Sequence, residues 1–298
     1  VLKTYAALAS AVLFWGSSFV ATKLVLQTFS PPAYMFLRFA LASLAFIAVL
    51  WWRGFPRLPG GVHLRLALIA ILEPGLYFVF ETNGLALTTA PKASLIIATT
   101  PVVVALLSRV FLGERMGHRV TLGGLASLAG VAVLVVADRR AGAVLEGAGL
   151  GDVLVLGAVV SAAGYIILAR SLSARLDSVQ LTAYQVLYGT AFFLPLFLLR
   201  PSLPPAASVG LEAVGALLFL AIFATVVAFL SYNYALSQIP AARAGVFLNA
   251  IPVVTAIVAW PVLGEVLTPV QALGGLLVIG GMTYANMRRR RAVAPMEG

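Results

Sequence analysis

Lys92 to Gly130 reads KASLIIATTPVVVALLSRVFLGERMGHRVTLGGLASLAG, and Arg243 to Gly281 reads RAGVFLNAIPVVTAIVAWPVLGEVLTPVQALGGLLVIGG. Shifting the first by 151 positions lays Pro101-Val102-Val103 on Pro252-Val253-Val254 and Leu112-Gly113-Glu114 on Leu263-Gly264-Glu265. The same shift lays Leu122-Gly123-Gly124-Leu125 on Leu273-Gly274-Gly275-Leu276 and Gly130 on Gly281, giving 13 identities in 39 positions. A match at one fixed offset marks an internal repeat. Each copy is an apolar run with a proline inside it, a break ending in Leu-Gly-Glu, and a second apolar run with glycines seven residues apart. Glycines so spaced share one helix face, on which a neighbouring helix can come close, as small residues allow in membrane bundles.

Working outward, the whole 298-residue chain is 61% hydrophobic and only 10% charged, with mean hydropathy +1.03. Soluble domains run at about 45–50% apolar and 25% charged. The chain therefore reads as an all-α polytopic membrane protein, counted in spans of about 20 residues rather than in soluble domains. It has 0 cysteines, which excludes disulfides, thiolate chemistry and Cys-based metal sites. The net charge of +10 does not point to nucleic acid, because the basic residues sit in short breaks between apolar runs. The sequence starts at Val1 without a methionine, so residues are expected to precede it, and its first apolar run is too long for a cleavable signal.

Ten spans are expected: 5–26, 33–52, 66–87, 93–112 and 120–137 in a first repeat (1–138), then 151–169, 179–199, 211–236, 244–263 and 269–287 in a second (151–298). A linker, 139–150, joins them. Placing the N-terminus in the cytoplasm puts 13 Lys and Arg inside, Arg288 to Arg291 among them, and 5 outside. The positive-inside rule then makes both termini cytoplasmic in a bacterial-type inner (plasma) membrane. Five spans per half is an odd number, so the second copy enters from the opposite face and is inverted. Inverted repeats around a midplane site are a recurring plan of secondary transporters that work by alternating access.

Pro101 followed by Gly113-Glu114, Gly123-Gly124 and Gly130, and the same run from Pro252, resembles the paired domains of the drug/metabolite transporter superfamily, in its ten-helix EamA-type branch. Phe14-Trp15-Gly16-Ser17-Ser18-Phe19 is similar to that branch's first helix, and the likeness covers nearly the whole chain. It implies a 5+5 inverted-topology repeat, a central cavity lined by spans one to four and six to nine, and export of small metabolites. Exporters of aromatic or other neutral amino acids are the nearest likeness. The sixth span departs from the pattern: Ala162-Ala163-Gly164-Tyr165 lacks the Trp-Gly-Ser of the first.

Candidate site residues follow from depth and chemistry. Pro101 and Pro252 lie near mid-span, where each removes a donor and frees a carbonyl, so a kink is expected at both, and Pro74-Gly75 loosens the third span. Asn249, three residues before Pro252, and Thr99 with Thr100 offer polar contacts; a threonine can instead bond its own helix. The third span carries Glu73, Tyr77 and Glu81 at i, i+4 spacing. Carboxylates at this depth cost about 2.5–3.5 kcal/mol on insertion scales and face the bundle interior or water. Three roles stay open for them: proton coupling, a counter-charge for a substrate amine, or a structural ion pair with Arg38. Trp15, Tyr77 and Tyr165, with Phe80, Phe229 and Tyr232, supply rings that either stack on a solute or merely pack.

Catalysis is poorly supplied. His63 and His118 lie in cytoplasmic breaks and are read as solvated, which leaves no metal site, and Asp138, Asp152 and Asp177 lie at or beyond span ends. No nucleotide-binding loop of the Gly-x4-Gly-Lys-Ser/Thr type is present. The expected protein is not an enzyme and uses no cofactor. It handles a small solute within lipid; exporters of other organic solutes or drugs, channels and lipid-modifying enzymes are the rival classes.

Overall fold

A computed structural model of the protein describes residues 2–55, 58, 60–112, 118–140, 148–172, 176–199, 203–238 and 247–286. Among them there is no strand. A chain this apolar satisfies its backbone inside a bilayer by helical hydrogen bonding alone, since lipid offers none.

The first half comprises α1 (Leu2–Leu26), α2 (Pro31–Arg53), α3 (Gly60–Ala70), α4 (Tyr77–Leu85), α5 (Ala90–Ile97), α6 (Thr100–Leu112) and α7 (His118–Arg140). The second comprises α8 (Ala148–Leu172), α9 (Ser178–Leu199), α10 (Leu211–Phe219), α11 (Ala228–Gln238), α12 (Ile251–Leu263) and α13 (Pro269–Asn286). Among the described residues, 6 of these spans are long and apolar enough to cross a membrane, α3 with α4 and α10 with α11 each counting as one. Four shorter apolar helices, Ala90–Val104, Thr121–Val133, Ile251–Leu263 and Pro269–Tyr284, supply the fourth, fifth, ninth and tenth. Trp51 and Trp52 are 79% and 85% exposed at the end of α2, where amphipathic rings anchor a helix at the membrane surface.

Two spans are joined through π-helical turns. Ile71–Leu76 links α3 to α4, and Leu220–Val227 links α10 to α11. Shifted by the repeat offset of 151, the first falls on 222–227, inside the second. Only the first contains a proline, Pro74, and there Glu73 leaves helical geometry altogether (φ −143, ψ 112). Gly189 of α9 makes room for the Pro74 ring, which any added Cβ would strike.

Helix contacts between the halves come in matching sets. α2 packs on α9 and α7 on α13; α1 packs on α11 and α12, while α8 packs on α4 and α6. The α7–α13 seam is the closest. A Cβ on Gly130 would fall 2.6 Å from the Gly274 carbonyl oxygen, and one on Gly281 would fall 2.5 Å from that of Gly123. Moving seven residues up α7 moves seven residues down α13, so these two repeat-equivalent helices run antiparallel. Between the two contacts Ser127 donates its hydroxyl to the carbonyl of Val278, its own repeat equivalent, at 2.9 Å. Small residues let the two backbones meet, which drives association where lipid removes the hydrophobic force.

Three sequence expectations are corrected. Pro101 and Pro252 do not kink continuous helices: α5 ends at Ile97 and α6 begins at Thr100, while Asn249 and Ala250 form a turn before α12 begins at Ile251. Each proline thus sits in a first helical turn, where its missing N–H costs nothing. Asp152 is not at or beyond a span end but within α8, 0% exposed, and it meets Lys92 at 2.7 Å. His63 is not a loop residue; it lies in α3 and shares a 2.8 Å hydrogen bond with Tyr188. Glu114, Arg115 and residues 244–246 lie outside the described residues.

Candidate functional site

α1, α2, the third span and the break between α5 and α6 enclose a cavity with α8, α11 and the start of α12. Trp15, Tyr77, Phe78, Tyr165, Phe229 and Tyr232 form most of its ring surface, and Arg38, Glu73 and Glu81 are its charged groups. Trp15 is fixed from both sides. Its indole N–H donates to the carbonyl of Ala224 in the second π-helical turn at 3.1 Å, and its ring meets Phe229 edge-on (5.2 Å, 75°) and Tyr232 at 5.1 Å. The next residue, Gly16, lets α1 touch α12: a Cβ there would lie 2.6 Å from that of Val254, and the Gly16 carbonyl accepts from Thr255 at 2.8 Å.

Arg38 is 1% exposed. Its Nε donates to Thr225 Oγ1 at 2.8 Å and its Nη1 to the Tyr34 hydroxyl at 2.7 Å, which also bonds Thr22 at 2.9 Å. The guanidinium carbon stands 4.5 Å from the centre of the Phe78 ring, a cation–π arrangement. Two halves therefore meet on one arginine, since Thr225 belongs to the second π-helical turn. Glu81 accepts from Thr82 Oγ1 at 3.2 Å and feels the charge of Arg38, but the two side chains form no ion pair. That speaks against a direct Arg38 salt bridge as the role of the third-span carboxylates.

Glu73 differs from Glu81. Its main-chain carbonyl, turned out of the helix, accepts from Gln185 Nε2 of α9 at 2.9 Å. Its carboxylate is part of a residue only 8% exposed, faces the cavity, and finds no hydrogen-bond or ion-pair partner among the described residues. Behind the aromatic wall, Tyr165 donates to Asn233 Oδ1 at 3.1 Å and Asn233 donates to Thr182 at 2.8 Å, which fixes the phenol.

Of the residues singled out from sequence, the structure brings Trp15, Arg38, Glu73, Tyr77, Glu81, Pro101 and Tyr165 to one cavity. Thr99, Asn249, Pro74 and Pro252 do not line it. Thr99 turns back to the Ile96 carbonyl at 2.7 Å, while Thr100, which does line the cavity, closes on the Ile97 carbonyl at 2.6 Å. Thr100 thereby satisfies the Ile97 carbonyl, four residues before Pro101, that the proline leaves without a donor, whereas the Ile96 carbonyl also accepts the Thr99 amide at 3.0 Å. Asn249 is buried, and neither of its amide atoms finds a hydrogen-bond partner among the described residues. Phe80 is turned away, against Gly157. Sequence reasoning missed Phe78 and the Arg38 partners; Phe78 is three residues before Glu81 and Tyr34 four before Arg38, spacings that share a helix face.

The sequence profile described as the EamA-like transporter family matches twice, over residues 2–136 and 149–287. The chain belongs to the EamA-like transporter family. It is a multi-pass membrane transporter and not an enzyme. An uncharacterized transporter of Archaeoglobus fulgidus is 34% identical to this EamA-like transporter over 290 residues, 97% of this chain and 99% of its own. A Streptantibioticus cattleyicolor protein named "probable terminal-alkyne amino-acid exporter" is 30% identical over 293 residues, 97% and 96% of the two chains. A solved crystal structure superposes at TM-score 0.68 and 21% identity, covering 95% of this EamA-like transporter and 96% of that chain, which shows a shared fold.

Proposed function

We propose that this transporter exports amino acids, aromatic or otherwise neutral, or similar small metabolites across the inner membrane by alternating access around the central cavity. One observation carries the reading: the cavity is walled by aromatic and charged side chains from both repeats, Trp15, Arg38, Glu73, Tyr77 and Glu81 from the first and Tyr165, Phe229 and Tyr232 from the second. A pocket with few polar groups and many rings suits a small solute with an apolar body. Relative motion of the repeats would open that pocket to one side or the other. Repeats of 1–138 and 151–298, inverted and with both termini cytoplasmic, complete the reading, and the name of the Streptantibioticus cattleyicolor relative supports the solute class.

Uptake of labelled amino acids into proteoliposomes, with and without an imposed pH gradient, tests it. Saturable uptake is expected, and equilibration that ignores the gradient would remove a coupling role from Glu73 and Glu81. Conductance far above carrier turnover, or movement of drugs with no amino-acid uptake, would overturn the solute and mechanism proposed. Impermeant thiol labelling of single-cysteine variants should reach Gln27→Cys and not Gly54→Cys from outside; the reverse would overturn the orientation.

A further inference from the structure

We infer that Glu73 is the anchor for a protonated amine, so that the cavity selects organic amines with an apolar or aromatic body and needs no carboxylate on them. The inference rests on the transport reading only in taking this cavity as the cargo site.

Placement of Glu73 is not accidental to its neighbours. The non-helical backbone at this residue, its carbonyl held by Gln185, delivers the side chain into the cavity from a fixed point. There Glu73 is 8% exposed, and among the described residues its carboxylate finds neither donor nor cation. Arg38, the cationic side chain lining the same space, is held by Thr225 and Tyr34 over the Phe78 ring and acts on Glu81. Lys92 and Lys23, the other buried or half-buried cations placed by ion pairs, are joined to Asp152 and Glu265. A shielded carboxylate without a partner is costly, and a bound ammonium provides what the protein withholds, as a charge-assisted hydrogen bond.

The surrounding wall favours the same cargo. Trp15, Tyr77, Tyr165, Phe229 and Tyr232 line the cavity, and aromatic rings both attract cations and accept an apolar body. The one guanidinium lining the cavity is already engaged by Thr225 and Tyr34, so among the described residues the cavity holds no uncommitted cation to receive a carboxylate.

Phenylethylamine and phenylpropionate have the same ring and chain with opposite charge, which makes them a direct test. Both would be titrated into the full chain in detergent while following tryptophan fluorescence, with no transport required. Phenylethylamine should saturate, phenylpropionate should bind at least about tenfold more weakly, and Glu73→Gln should weaken phenylethylamine by about tenfold or more, the loss expected for a hydrogen bond between charged groups. No saturation by the amine, a smaller gap between the two ligands, or unaltered amine binding by a folded Glu73→Gln overturns the inference. Should that variant fail to fold, the two ligands on the natural chain decide alone. Amine binding without flux in liposomes would sink the exporter reading and leave this one standing.

Discussion

Lys92 and Asp152 meet at 2.7 Å with both side chains sealed from solvent, one from each half of the chain. Thr88 adds a hydrogen bond to the same carboxylate at 3.2 Å. A buried pair of this kind adds little net stability over a well-packed apolar pair, but removing one partner strands the other charge. Lys92→Ala should therefore destabilise the protein by about 3–5 kcal/mol. Lys92→Met combined with Asp152→Leu should recover most of that loss. Thermal unfolding in detergent checks both; an unaltered transition in the single variant would show that the pair is relieved some other way.

The α7–α13 seam should tolerate no side chain at its glycines. A Cβ on Gly130 or Gly281 would overlap backbone of the facing helix. Gly130→Val should destabilise by at least about 1–3 kcal/mol, the usual penalty of overpacking. Gly280→Val is the control, because nothing lies within 4 Å of a Cβ there. Denaturation midpoints of the two variants should differ in that order.

Trp15 contributes a ring to the cavity and a donor to the Ala224 carbonyl. Trp15→Phe keeps an apolar ring and forfeits one hydrogen bond, worth about 0.5–1.5 kcal/mol. Trp15→Ala removes the edge contacts with Phe229 and Tyr232 as well. Flux should fall from the natural chain to the phenylalanine variant and further to the alanine variant, at equal amounts of folded protein. Equal flux in all three would remove Trp15 from the site.

Lys23 and Glu265 form a second ion pair between the halves, at 2.7 Å, and Glu265 also accepts the Ala90 amide at the start of α5 at 2.8 Å. Gly264, at φ 67, ends α12 in the left-handed conformation that a glycine adopts without strain, which turns Glu265 toward these partners. If α1 and α12 separate at this end during transport, tying them should stop it. The chain has 0 cysteines, so Lys23→Cys with Glu265→Cys provides the sole thiol pair. A short bifunctional thiol reagent should reduce flux to background in that variant and leave either single variant active; continued flux after complete cross-linking would show that this end does not open.

Arg38 bonds through two different guanidinium nitrogens to Thr225 and Tyr34. A lysine cannot reproduce that fork. Arg38→Lys should keep the charge but lower flux and stability together, whereas a solely electrostatic role would leave the lysine variant intact.

Much of this protein was legible from its residues. Hydropathy placed ten spans, and the observed ends of α2, α9 and α13 fall within two residues of the expected ones, since a bilayer demands long apolar helices and polar breaks. The repeat offset named the pairs Gly123/Gly274 and Gly130/Gly281 before any contact was known, because close helix approach selects glycine locally. Carboxylates and rings on one face of the third span pointed to a cavity, since polar side chains at that depth must avoid lipid.

Tertiary structure decided what those local signals left open. Thr99 and Thr100 are alike in sequence, yet only Thr100 lines the cavity; the break between α5 and α6 makes the distinction. Asp152 looked like a terminal residue until Lys92, 60 positions earlier, closed on it. An ion pair between Arg38 and a third-span carboxylate was one of three roles the sequence left open, and Arg38 is held by Tyr34 and Thr225, the latter 187 residues away. Which buried charge finds a partner, and which, like Glu73, is left facing the cavity, depends on helices brought together from distant parts of the chain, and no pattern within one helix encodes it.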